Sequence, residues 1–270
     1  MRNFSATAKA LTRATLAGSA VALSLTLGSV AVQAAPTTIT WDPSVFAPGA
    51  ESFTADKLNM LNYGRADLNG NSFTEVGFLQ LNNVSLNNNT FNPEGNRSDY
   101  SLYFSYSGTG TQTSTTFNGS SVGQFSSLTY TLFGATGAST FGINGSDQPF
   151  VTNSGTPVAL ATGSLIEGQT FFSTSPLGAA ANIDATLAET VAAFFVSPAN
   201  SALTLSGAFN NDRNIVSVLN GGTTFTLNGG GGDITFSANP TPVPEPASMM
   251  IFGTALAGLG AITRRRRKSA

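Results

Sequence analysis

The fold class is decided by two stretches, YSLYFSYS at residues 100–107 and SSLTYTLF at residues 126–133. In the first, Leu102, Phe104 and Tyr106 alternate with residues of the opposite face, and in the second, Leu128 and Leu132 alternate with threonines. A period of two places every second side chain on one face of a strand. Both stretches are therefore predicted to be β-strands with one buried face.

The same pattern continues outward from these two stretches. It predicts further strands at residues 73–81, 202–209, 223–227 and 233–237, with glycine and asparagine turn formers between them. Residues 183–195 are alanine-rich, which favours a helix, but their apolar residues also alternate, so we predict a strand. Residues 229–232, GGGG, indicate the turn of a hairpin that ends the domain. Many short strands predict an all-β fold, an antiparallel β-sandwich.

Composition limits the partners of the segment 35–239, which we interpret as one secreted β-rich domain. It carries four cations (Lys57, Arg65, Arg97 and Arg213) against thirteen acids, a net charge of −9. Nucleic-acid binding requires clustered cations that contact phosphates. We therefore predict no nucleic-acid partner.

The absence of two residue types excludes several chemistries. The chain has no His and no Cys, so Ser-His-Asp and Cys-His catalysis and His-ligated zinc are excluded. A Ser-Lys nucleophile would have to use Lys57, which is more simply a solvated lysine beside Asp56. Paired carboxylates remain open, because their separation in space is not visible in sequence. We predict that the protein is not an enzyme and has no catalytic residue.

One acidic stretch is a weak candidate for a calcium site. Oxygen-bearing side chains alternate at Asp67, Asn69 and Asn71, and Glu75 follows. The spacing departs from the EF-hand loop, because glycine stands at the fourth position and the acid of position twelve is missing. The alternative is an Asn-Gly turn that leads into the strand at residue 73. No other cofactor is predicted.

Five aromatic residues raise a similar choice between two roles. They could stack on sugar rings, but alternating aromatics in strands more often form the two faces of a sheet. They are Trp41, Tyr63, Tyr100, Tyr103 and Tyr106.

The N-terminal segment has the three parts of an export signal. Arg2, Lys9 and Arg13 form a basic region, residues 16–32 are apolar, and small residues precede a cleavage site between Ala34 and Ala35. Residues 1–34 are therefore predicted to be a signal peptide with a signal helix, cut by signal peptidase. The alternative is an uncleaved N-terminal anchor.

The C-terminal segment, residues 240–270, has three parts in a fixed order. A Pro-rich motif comes first, then an uncharged apolar run at residues 247–263, then a basic block. As a helix the run would reach about 25 Å, close to the thickness of a bilayer core, so it predicts a transmembrane helix. The basic block would remain cytoplasmic. The motif is Val243, Pro244, Glu245 and Pro246, and the block is Arg264, Arg265, Arg266, Arg267 and Lys268.

This order resembles the PEP-CTERM sorting signal of Gram-negative bacteria that make exopolysaccharide. The resemblance implies that the tail anchors the protein transiently in the cytoplasmic membrane until an exosortase cuts near Pro244–Pro246. The protein then passes to the cell surface or the extracellular matrix. The order of residues 53–81, 99–112 and 123–134 is also similar to the flocculation-associated members of this group.

We therefore expect a cell-surface or matrix protein that acts with extracellular polysaccharide in flocculation or biofilm formation. Two alternatives stay open. One is an extracellular carboxylate glycosidase that acts on matrix polysaccharide, and the other is a self-associating surface-layer subunit.

Overall fold

The structure is a computed structural model that describes residues 37–114, 120–174, 177–198, 203–212 and 216–238. These residues form strands joined by turns, with one short 3-10 turn at Pro43–Val45. The strands, in chain order, are β1 (Ile39–Trp41), β2 (Phe53–Ala55), β3 (Lys57–Asn69), β4 (Ser72–Leu86), β5 (Asn89–Phe91), β6 (Tyr100–Ser114), β7 (Ser120–Thr136), β8 (Ser139–Ile143), β9 (Pro149–Asn153), β10 (Val158–Thr174), β11 (Leu177–Glu189), β12 (Phe195–Ser197), β13 (Leu203–Asp212), β14 (Val216–Leu219) and β15 (Thr224–Ala238).

Eight of these strands close into a barrel, and this corrects the prediction of a β-sandwich. Each strand pairs antiparallel with its neighbours in the order β13-β11-β10-β7-β6-β4-β3-β15, and β15 pairs back with β13. The closing ladder runs from Leu203 opposite Ala238 to Asn210 opposite Gly231. The all-β class and the antiparallel pairing are as predicted. The sandwich prediction is wrong because a sandwich needs two separate sheets, whereas here a single sheet closes on itself. The inward side chains of this one sheet form the core.

One end of the barrel, here called the capped end, is closed by a small sheet. β12, β1 and β2 form this sheet, and the 3-10 turn follows β1. Trp41 is 1% exposed and its ring packs against four phenylalanines. Aromatic burial of this size closes the interior against water at the capped end. The four rings belong to Phe53, Phe194, Phe195 and Phe236.

The opposite end, here called the far end, carries the turn between β3 and β4 and the turn between β14 and β15. Phe172 and Phe225 pack 5.0 Å apart inside the barrel near this end. Next to them Phe73 packs on Phe125, also at 5.0 Å. The barrel is therefore filled from both ends by aromatic side chains.

A hairpin of β8 and β9 lies on the outer surface of the barrel against β3, β4 and β15. Phe141 of β8 stacks on Tyr63, with ring centroids 5.6 Å apart, and also contacts Phe78 and Tyr103. The hairpin covers outward-facing aromatics that would otherwise meet water.

Most predicted strands are confirmed, but two segments differ. Residues 183–195 do not form one strand, because β11 ends at Glu189 and β12 begins at Phe195. The predicted hairpin at residues 223–237 is instead the single strand β15, whose register shifts between Asn228 and Gly230. The glycine run does not turn the chain.

The predicted terminal segments lie outside the described residues. These are the signal helix and cleavage site in residues 1–35, and the Pro-rich motif, the apolar run 247–263 and the basic block in residues 240–270. Within the part of the chain that the structure describes, no helix is long and apolar enough to span a membrane.

Candidate functional site: a hydroxyl-lined wall and a buried carboxyl group

Hydroxyl side chains cover the outside of five neighbouring barrel strands. Along each strand the apolar residues point into the barrel, so the alternate residues face solvent. Serine and threonine are frequent among these outward residues on β6, β7, β10, β11 and β13, and ten of them, all exposed or half-buried, are grouped here. We call this surface the hydroxyl wall. It consists of Ser105, Ser107, Thr109, Ser127, Thr129, Thr131, Thr162, Ser164, Thr186 and Thr204.

The strand register aligns five of these hydroxyls in one row. Ser107 lies opposite Thr129, which lies opposite Ser164 on the next strand. The Ser164 N–H donates to the Thr186 hydroxyl at 3.1 Å, and Thr186 lies opposite Thr204. Since neighbouring strands are about 4.8 Å apart, the row is about 19 Å long. It presents neutral donors and acceptors at a regular spacing.

Charges lie at the margin of the wall. Glu167 faces Asp184 across β10 and β11, and the Ser206 hydroxyl donates to the Asp184 carboxylate. The wall itself therefore carries hydrogen-bonding groups without net charge, bordered by acids on one side.

The aromatic residues named as candidate sugar contacts do not lie on this wall. Trp41, Tyr100 and Tyr103 are 1%, 0% and 2% exposed. Tyr63 is stacked against the β8–β9 hairpin, and Tyr106 lies inside the barrel. Their positions agree with the second role considered for them, which is packing within the sheet and not stacking on sugar rings.

The structure does not bring together the four residues of the predicted calcium site. Asp67 points outward, where its carboxylate accepts two hydrogen bonds from Arg65, at 2.7 and 2.8 Å. These bonds hold the pKa of the Asp67 carboxyl below its usual value. Glu75 points into the barrel, on the face of the sheet opposite to Asp67. Asn69 and Asn71 lie at the exposed turn between them.

The described residues do not form a metal site built from several acidic side chains. No group of three or more acidic residues is placed there so that it could hold a metal ion. Calcium was only a weak candidate from the sequence, and its binding is untested.

Inside the barrel Glu75 belongs to a polar group that sequence reasoning did not identify. The Tyr106 hydroxyl lies 3.2 Å from Glu75 Oε1 and 3.1 Å from Asn62 Oδ1. Burial raises the pKa of Glu75 from 4.5 to about 7, and the hydrogen bond with Tyr106 opposes this rise. The sequence does contain a signal, since Glu75 shares the inward parity of Phe73 and Leu79.

A cleft at the capped end brings three acids together. It has a volume of about 330 Å³ and is lined by the segment from Ala47 to Glu51, by Glu94, Gly95 and Asp99, and by Thr136. The side chains of Glu51, Glu94 and Asp99 are exposed. General acids of glycosidases are normally held in pockets that exclude water, and this cleft does not provide one.

Comparison with known protein families identifies the C-terminal segment. Residues 242–267 match the PEP-CTERM protein-sorting motif, which confirms the interpretation of the Pro-Glu-Pro triplet, the apolar run and the arginines. The comparisons with curated proteins and with solved structures found no significant match. The motif implies an exported protein that is anchored transiently in the membrane, processed by an exosortase and then located at the cell surface.

Proposed function

We propose that this exosortase substrate is a matrix protein of a Gram-negative bacterium that binds extracellular polysaccharide through its hydroxyl wall. It would thereby contribute to flocculation or biofilm formation, as the flocculation-associated PEP-CTERM proteins that it resembles are implicated in doing. The protein acts by binding and not by catalysis. The hydroxyl wall is the observation that carries the proposal.

The spacing and neutrality of the wall suit a glycan ligand. A polysaccharide laid across β6, β7, β10, β11 and β13 would meet a hydroxyl about every 4.8 Å. One such hydrogen bond contributes only about 1 kcal/mol net, because each group exchanges a bond with water. Many repeats on one polymer and many protein copies convert weak contacts into retention.

The charge of the secreted segment supports a neutral or cation-bridged glycan. With a net charge of −9, residues 35–239 would repel an acidic polymer at low ionic strength. Binding to neutral sugars through the wall would depend little on salt, because no ion pair is involved.

The test is retention of the protein in the host's own matrix after removal of wall hydroxyls. The wall variant Thr129→Val/Ser164→Ala/Thr186→Val removes three neighbours from the central row, all of them exposed. The matched control is Thr140→Val/Thr152→Val/Ser146→Ala on the β8–β9 hairpin, where Thr140 and Thr152 face each other.

We expect the wall variant to bind isolated exopolysaccharide about 100-fold more weakly than the wild type, from three lost bonds of about 1 kcal/mol each. The hairpin control should bind as the wild type does. Deletion of the gene should disperse flocs, and the control, not the wall variant, should restore them. Equal polysaccharide binding by all three proteins, or intact flocs after deletion, would exclude this function.

A second candidate is a carboxylate glycosidase that would use Glu51, Glu94 and Asp99 of the cleft at the capped end. It predicts release of reducing sugar from the matrix polysaccharide, lost in Glu94→Gln and Asp99→Asn. The proposed binding function predicts no release by the wild type.

A further inference from the structure

The middle of the barrel contains a cavity that the aromatic cores at the two ends do not fill. Its volume is about 50 Å³. Asn62, Glu75 and Tyr106 form its polar side, and its remaining walls are aliphatic and aromatic, among them Leu128, Ile183 and Leu205. Ile183 faces inward yet is only half-buried, which is consistent with free space beside it.

Gly64 and Gly232 of the barrel strands keep this space open, because their lack of a side chain lets two aromatic rings pack against the backbone. A Cβ atom on Gly64 would lie 2.5 Å from the Tyr106 hydroxyl. A Cβ atom on Gly232 would overlap the ring of Phe209. Both rings therefore lie close to the barrel wall instead of projecting into the centre.

The hydrogens of the polar group determine what it offers to a ligand. Tyr106 has one hydroxyl hydrogen but two oxygen neighbours, Asn62 Oδ1 and Glu75 Oε1. When Glu75 is ionised, the Tyr106 O–H donates to Glu75 Oε1. When Glu75 is neutral, its own O–H donates to the Tyr106 oxygen, and Tyr106 then donates to Asn62.

One oxygen of this group is left without a partner. Glu75 Oε2 is buried, has no hydrogen-bond partner, and belongs to a side chain that is 6% exposed. In the neutral carboxyl this oxygen is an acceptor. A buried acceptor without a donor is destabilising, so a ligand that brings a donor into the cavity should bind more tightly than an isomer without one.

We propose that the barrel interior binds a small molecule that combines a short aliphatic body with one hydrogen-bond donor, which donates to Glu75 Oε2. The apolar walls take the body, and the polar side takes the donor. A cavity of about 150 Å³ admits benzene, so a cavity of about 50 Å³ suits two to four non-hydrogen atoms. A primary alcohol and a primary amine share this chemistry.

The two classes of ligand, alcohol and amine, differ in the protonation of Glu75 in the complex. An alcohol donates its O–H to neutral Glu75, and no proton moves. A primary amine enters as its ammonium ion, because its pKa is about 10, and Glu75 releases its proton to solvent, so that a carboxylate and an ammonium face each other. This inference does not depend on polysaccharide binding, since the cavity and the hydroxyl wall lie on opposite faces of the barrel strands.

The test uses the processed protein, labelled at the isoleucine δ1-methyl groups and observed by NMR. Ile183 and Ile234 line the cavity, whereas Ile166 is 53% exposed and Ile39 belongs to the capped end. The probes are ethanol, ethylamine and dimethyl ether, each with three non-hydrogen atoms. Dimethyl ether is an isomer of ethanol without a donor.

We expect saturable shifts of Ile183 and Ile234, but not of Ile39 or Ile166, with ethanol or ethylamine. Dimethyl ether should bind at least about fivefold more weakly, since one donated bond of about 1 kcal/mol is missing. Binding of ethanol alone identifies a neutral donor, and binding of ethylamine alone identifies an ammonium ligand.

Two variants complete the test. Glu75→Leu should remove the preference for ethanol over dimethyl ether, and Glu75→Gln, which keeps a carbonyl acceptor, should retain ethanol binding. The proposal is overturned if no probe gives saturable shifts in the wild type or if dimethyl ether binds as tightly as the donor probes. It is also overturned if the wild type binds ethanol and a folded Glu75→Gln variant does not.

Discussion

At the scale of single residues, the buried Glu75 makes the stability of the barrel depend on pH. Its carboxyl group is buried among Tyr106, Asn62 and apolar side chains, and the other titratable side chain that lines the same cavity is Tyr130, whose hydroxyl donates to the Thr186 carbonyl. Among the described residues, no Lys or Arg lines this cavity. Ionisation of Glu75 in the folded state is therefore opposed by burial alone.

This burial predicts a decrease in stability as the pH rises. Unfolded Glu75 ionises near pH 4.5, whereas the folded protein keeps it protonated up to about pH 7. The free energy of unfolding should therefore fall between these two values and then level off, by about 3 kcal/mol in total. Urea denaturation from pH 4 to pH 8, in wild type and Glu75→Gln, measures it. Parallel pH profiles for the two proteins would contradict the assignment.

Gly64 predicts a second effect at this scale. Gly64→Ala places a methyl group against the Tyr106 hydroxyl, and overpacking of this kind costs about 1–3 kcal/mol. Gly145→Ala is the control, because a Cβ atom there has no neighbour within 4 Å.

The clash should be relieved by removing the hydroxyl. In a double-mutant cycle, Gly64→Ala and Tyr106→Phe should together cost less than the sum of their separate costs. Additive losses in thermal unfolding would show that the two residues do not interact.

At the scale of strands, the sequence correctly predicted that buried and exposed residues alternate along each strand. It did not predict that the sheet closes into a barrel. Alternating residues such as Leu102 and Phe104 indicate which side chains are buried, and this is the same in a sandwich and a barrel. Closure depends on the pairing of β13 with β15 and on the register between them, which no local pattern encodes.

The glycine run shows a related limit. Glycines at residues 229–232 are typical of a turn, but β15 continues through them because Phe209 packs over Gly232. Whether these glycines form a turn or continue the strand depends on a residue about twenty positions away in sequence, which a local rule cannot detect.

The small sheet at the capped end gives a prediction for Trp41. Trp41→Ala removes a ring that packs on Phe53, Phe194, Phe195 and Phe236, and we expect a loss of about 3–5 kcal/mol. Trp41→Phe should cost less. Phe91→Ala, at a side chain that is 38% exposed, is the surface control. Chemical denaturation of the three variants provides the comparison, and similar losses in Trp41→Ala and Phe91→Ala would contradict this role of the capped end.

At the scale of the whole molecule, the described chain begins and ends at the same end of the barrel. The Thr37 N–H donates to the Phe236 carbonyl at 2.7 Å, and β15 ends at Ala238. Pro246 follows Ala238 by eight residues, a reach of at most about 29 Å. While the sorting segment is anchored, the capped end should therefore lie nearest the membrane.

Single-cysteine labels can test this orientation, because the chain has no cysteine of its own. A fluorophore at Val196→Cys, on the exposed side of β12, should be quenched by quenchers placed in the lipid headgroups. One at Asn71→Cys, at the far end, should be quenched much less. Stronger quenching at position 71 in the uncut protein would contradict the orientation.

The candidate sites were predictable to different degrees. The PEP-CTERM motif is a contiguous sequence signal, so the order of its three parts was sufficient. The hydroxyl wall depends on register across five strands, and the Glu75 group depends on contacts between β3, β4 and β6. The candidate calcium ligands were close in sequence, but the β3–β4 register places Asp67 opposite Thr74, so the next residue, Glu75, points to the other face of the sheet.

The intact mass of the protein recovered from the polysaccharide fraction of its host's matrix tests the central claim most directly. We predict a chain that starts near Ala35 and ends near the Pro-Glu-Pro motif at residues 244–246, cut from its membrane anchor and retained with the polysaccharide. A mass that still includes residues 264–268, or absence of the protein from that fraction, would contradict the account.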